Sequence, residues 1–122
     1  MIYMENDFNL NLVNFLQKEN IDMNLSKISN SEFWLDNTDR SITVRIIIDD
    51  KTKKILYDVY SINSNMHLNE KTIKDVKTLE YIAEENREWN AAETIENIWL
   101  ILDEITLWAD KNNFDLREEK LL

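Results

Sequence analysis

Carboxylates are the one reactive group that this chain holds in quantity. Glu80, Glu84 and Glu88 step by four, and Glu93 and Glu96 by three, so on a helix each set stacks over adjacent turns. Such spacing suits metal ligands or a paired acid and base. Di-iron bundles, however, place a His three residues after a Glu, and no Glu-x-x-His occurs here. A glycosidase needs two carboxyls facing each other across a sugar, whereas these would lie along helix surfaces. The expectation is neither a metal site nor acid–base catalysis.

Other reagents are scarcer still. His67 is the only histidine, and no Ser or Cys motif surrounds it, so it reads as a surface residue just before a helix. The cluster Lys51, Lys53 and Lys54 is largely cancelled by Asp49 and Asp50 and reads as a solvated turn. Cysteine is absent, which removes disulfides, thiolate nucleophiles and the usual structural zinc sites. Glycine is absent too, so neither a P-loop nor a dinucleotide fingerprint can let backbone approach phosphate closely. A glycine-flanked serine elbow is excluded on the same ground. No cofactor is implied, and the chain reads as non-enzymatic.

Charge is the remaining signal. From Leu79 to Asp110 there are nine acids and one base, Arg87, so this stretch carries −8 of the formal −10. Direct nucleic-acid binding is unexpected, because neutralising phosphates needs a field of the opposite sign. Hydrophobic residues at 43% and charged residues at 31% suit one globular domain of 122 residues. No apolar run approaches the ~20 residues of a membrane span. The first residues lack a basic-then-apolar leader, so a cytoplasmic location is expected.

The elements that must position these groups follow from hydrophobic period. Phe8, Leu12, Phe15 and Leu16 predict an amphipathic helix over Asp7–Glu19, capped by Asn6 or Asp7. Ile21, Met23 and Leu25 alternate, as in a short strand or an extended lead-in. A strand over Ser31–Asp36 follows. Ile42, Val44, Ile46 and Ile48 then alternate with Thr43, Arg45 and Ile47, and 55–62 returns in the same period after a polar tip, which makes a hairpin. With no glycine, turns must use Asn and Asp.

Helical spacing resumes at 70–86 with Ile73, Val76, Leu79 and Ala83, where three lysines precede three glutamates against the helix dipole. A single helix spanning 70–110 is the alternative. After Asn90, Ile95, Ile98, Trp99, Leu102, Ile105 and Ala109 form an apolar stripe, beyond which Phe114 and Leu116 would dock back. The expected fold is α+β in the order α-β-β-β-α-α, a three-stranded antiparallel sheet packed on helices. Trp34 and Trp99 fit core positions, and Trp89 and Trp108 fit interface anchors.

Glu93, Glu96, Asp103 and Glu104 fall in one arc opposite the apolar stripe, with Leu100 and Leu107 inside that arc and Trp108 at its edge. Leucines ringed by carboxylates look like a binding surface, although a helix buried on most sides or a solvated face would read similarly. The expected partner-binding set is Glu80, Glu84, Glu88, Glu93, Glu96, Leu100, Asp103, Glu104, Leu107 and Trp108. Its partner would be a basic nucleic-acid-binding effector, whose phosphate groove the acids imitate. A toxin neutralised by an immunity protein or antitoxin is the second reading, and a homodimer or self-assembling module the third. In size, acidity and lack of motifs the chain resembles the small inhibitors of phages and mobile elements, anti-CRISPR proteins among them. That likeness lies in bulk properties and assigns no residue a role.

Overall fold

A computed structural model of the chain describes residues 4–37, 42–61, 66–68, 91–119 and 121. Helix α1 spans Met4–Lys18, followed by strands β1 (Met23–Lys27), β2 (Glu32–Asn37), β3 (Ile42–Asp49), β4 (Lys54–Ser61) and β5 (Met66–His67). Helix α2 (Ala91–Lys111) and strand β6 (Asp115–Glu118) complete the described elements. The expected helix over 70–86, and with it the question of one helix or two across 70–110, lies outside the described residues.

The α+β class holds, but the sheet is larger than expected and mixed. Strands β1 to β4 form an antiparallel meander, with Ile46 opposite both Phe33 and Tyr57. The far edge of β4 is shared by two short strands. β5 pairs antiparallel with Tyr60 and Ser61, and β6 pairs parallel with Lys54–Tyr57. Parallel pairing needs a long crossover, which no local alternation reveals.

Alternation does decide which side of the sheet meets the helices. Ile42, Val44, Ile46 and Ile48 are all buried, as are Ile55 and Val59 opposite them. They join Phe8 and Leu12 of α1 and Ile95, Ile98, Ile101 and Ile105 of α2 in one core. Side chains that are large, apolar and wholly enclosed contribute about 1.5–3 kcal/mol each relative to exposure, so this cluster dominates stability.

Both described helices end in the same way without glycine. The Ile21 N–H reaches the Leu16 carbonyl at 2.9 Å and the Asn20 N–H reaches that of Gln17 at 3.2 Å. The Phe114 N–H reaches Ala109 at 2.8 Å and the Asn113 N–H reaches Asp110 at 3.5 Å. These are Schellman motifs, with Asn20 and Asn113 at φ of 53° and 62° where glycine is commonest. The next residue in each case, Ile21 or Phe114, is buried, so the motif turns the chain straight into the core.

Candidate functional site

Helix α2 divides cleanly along its length. Ile95, Ile98, Ile101, Ile105, Trp108 and Ala109 face inward, and Glu96, Trp99, Leu100, Asp103, Thr106, Leu107 and Asp110 are exposed. Two rows therefore run along the outer surface. Glu96, Asp103 and Asp110 form one and Leu100 and Leu107 the other, each with a period of seven and a spacing of about 10.5 Å at 1.5 Å per residue. Among the described residues no base pairs with any of the three carboxylates.

Magnitude decides which row matters more. Two carboxylates 10.5 Å apart in water repel by about 0.4 kcal/mol before salt screening. The acidic row is therefore cheap to keep and does not by itself demand a partner. Leu107 is 64% exposed and Leu100 41%. Burying such a side chain is worth about 1.5–3 kcal/mol, so the leucines supply the larger drive toward contact.

Beside this face, α1 and α2 leave an open groove of about 500 Å³ lined by Leu10, Asn11, Asn14, Glu104, Leu107, Trp108, Lys111 and Asn112. Leu10, 59% exposed, stands on the α1 side and Leu107 on the α2 side. Asn11 spans the two helices, donating from Nδ2 to the Glu104 carboxylate at 2.9 Å. Glu104 is half-buried and braces the helices, unlike the exposed acids of the row.

The structure revises several expected roles. Trp108, expected at the edge of the exposed arc, lies almost wholly in the core. It is 7% exposed and packs edge-on to Phe8 at 5.1 Å and against Phe114 at 5.5 Å. Its position at the margin of the exposed arc is where α1 crosses, and α1 covers it. Trp99, expected in the core, is 37% exposed. Trp34 lies on the sheet face opposite the core and donates from Nε1 to Glu32 at 2.7 Å. Glu96, Leu100, Asp103 and Leu107 share one face as expected. Glu93 belongs to the first turn of α2, but its side chain, like Glu80, Glu84 and Glu88, lies outside the described residues.

A second constellation is absent from the sequence expectations. His67, read as a surface residue before a helix, is instead a half-buried strand residue whose Nδ1 donates to the Asp58 carboxylate at 2.8 Å. The other Asp58 oxygen accepts the Leu121 N–H at 3.1 Å. Next to it the Arg45 guanidinium lies 5.0 Å from the Trp34 ring centre and 6.0 Å from that of Tyr60, and its Nε is buried without an acceptor. Each nearby carboxylate is already engaged: Glu32 by Trp34, Asp36 by Thr43, and Asp58 by His67. Only strand register brings these residues together, so no spacing in the sequence announced them.

Among the described residues no group of three or more His, Asp or Glu side chains converges as a metal would require. No helix among them is long and apolar enough to cross a membrane. Compared with protein-family models, curated proteins and solved structures, the chain matches none.

Proposed function

We propose that this chain is a non-enzymatic binding protein that inhibits a basic, nucleic-acid-handling protein by covering the surface where that protein grips phosphate. The observation that carries the reading is the pairing on α2 of an unneutralised acidic row, Glu96, Asp103 and Asp110, with the exposed leucines Leu100 and Leu107. Acids steer a positively charged surface toward the helix and set the register, and the leucines hold it once water is expelled. A net charge of −10 extends the steering field well beyond contact. The same field opposes direct binding to nucleic acid.

An immunity protein or antitoxin against one toxin would use the same surface and differ only in the protein recovered. Self-association is favoured by the exposed leucines alone, yet it would set two copies of the acidic row near each other. Sedimentation at several concentrations separates the cases: a concentration-independent monomer removes self-assembly.

The decisive experiment is capture from the host with the tagged protein, followed by graded salt washes and competition with duplex oligonucleotide. Retention should fall steeply with salt and with competitor, and Glu96→Lys with Asp103→Lys should abolish it while the circular dichroism is unchanged. Retention indifferent to salt, competitor and charge reversal would overturn the reading.

A further inference from the structure

We infer that the groove between α1 and α2 is the seat of a basic amphipathic helix supplied by the partner. The inference rests on the reading that the outer face of α2 meets a basic protein, and it names the element that does so. Three observations point the same way.

The first is shape. The groove opens along α2 with Leu10 and Leu107 at its sides, both more than half exposed, and the Asn11–Glu104 hydrogen bond fixes the separation of the two helices. An apolar side chain entering it meets two leucines, beside Lys111 and the Glu104 carboxylate already held by Asn11.

The second is period. The rows Glu96–Asp103–Asp110 and Leu100–Leu107 both repeat every seven residues and lie side by side, about 40–60° apart at 100° per residue. A helix crossing at the shallow angle of a coiled coil presents its own side chains at that repeat. An extended segment offers same-face side chains about 6.8 Å apart, which cannot stay in step with a 10.5 Å repeat.

The third is charge. The leucine track is flanked on one side by three unneutralised acids, so its complement carries apolar anchors with Lys or Arg along one flank, seven residues apart. A second copy of this chain would bring acids to acids instead.

The test uses the full chain and a synthetic three-heptad peptide, with Leu at heptad spacing and Lys beside it, at physiological salt. An isomer of the same composition, scrambled so that no face is apolar, serves as control. The ordered peptide should gain helicity on binding, shift the methyl resonances of Leu10, Leu100 and Leu107, and bind about tenfold or more tightly than the isomer. Leu10→Ala with Leu107→Ala should remove that advantage; both side chains are exposed, so the fold is retained. Equal binding of the two peptides, both weakened by Glu96→Lys and Asp103→Lys, would overturn the groove while leaving the acidic face standing. No binding of the ordered peptide, or shifts confined to other surfaces, would overturn the groove as well, and the capture experiment decides the wider reading independently.

Discussion

The Asp58 carboxylate, only 3% exposed, accepts the Nδ1 hydrogen of His67 at 2.8 Å. Its second oxygen takes the Leu121 N–H, so one side chain clasps the two chain segments that share the far edge of β4. β5 covers one end of that edge and β6 the other, and the Asp58 carboxylate stands where they meet. Backbone bonds flank the clasp, from Leu68 N–H to Val59 at 2.7 Å and from Glu119 N–H to Tyr57 at 2.9 Å.

Removing the clasp should cost more than removing one of its partners. Hydrogen bonds to a charged group contribute about 1.5–3 kcal/mol, and orphaned buried donors add to the loss. Asp58→Ala is expected to lower the unfolding free energy in urea by about 2–4 kcal/mol, and His67→Ala by about 1–2 kcal/mol. Amide exchange at Leu121 should quicken in Asp58→Ala alone. A loss under about 1 kcal/mol for Asp58→Ala would show that the edge is held elsewhere.

Adjacent residues on α2 should respond very differently to truncation. Trp108→Ala opens a cavity against Phe8 and Phe114 and should cost about 3–5 kcal/mol. Leu107→Ala, at an exposed site, should stay within about 0.5 kcal/mol. Denaturant titration of the pair checks the division between core and exposed face.

Two asparagines hold a backbone conformation that glycine adopts more easily. Asn20→Gly and Asn113→Gly are each expected to raise stability by up to about 1 kcal/mol, since the left-handed region penalises a Cβ. A β-branched replacement, Asn113→Val, should lower it by more than about 1 kcal/mol. Thermal melts of the three variants measure both directions.

Asp49 should titrate lower than an ordinary carboxylate. The Thr52 hydroxyl and N–H, with the Lys51 N–H, donate to it at the tip of the β3–β4 hairpin and favour the ionised form. A depressed folded pKa supplies stability that is present above the unfolded value, about 3.9, and is lost as pH falls through the folded one. The tip should therefore hold through pH 4 and loosen below it. Following the Lys51 and Thr52 amide shifts with pH gives the midpoint, and Thr52→Val should move it upward.

Local signals located the first helix, the central hairpin and α2, because each carries a hydrophobic period that one stretch of chain reveals alone. The helix starts at Met4 and not Asp7, a shift of about one turn at a terminus, where sequence signals place helix ends least sharply. The segment Met23–Lys27, open between strand and lead-in, became a strand because β2 lies beside it in register. Of the expected binding set, the alternation of acids with Leu100 and Leu107 was legible, whereas the burial of Trp108 depended on where α1 crosses.

Composition and period by themselves excluded phosphate-loop, thiolate and disulfide chemistry and put the acids and two leucines on one helix face, because those properties need only residue identity and the 3.6-residue turn. Tertiary structure alone decided that Trp108 is covered while Trp99 is exposed, that Glu104 accepts from Asn11 of α1, and that Asp58 meets His67 and Arg45 lies over Trp34. Those relationships join residues distant in sequence through strand register and helix crossing, and each is fixed by how the whole core closes.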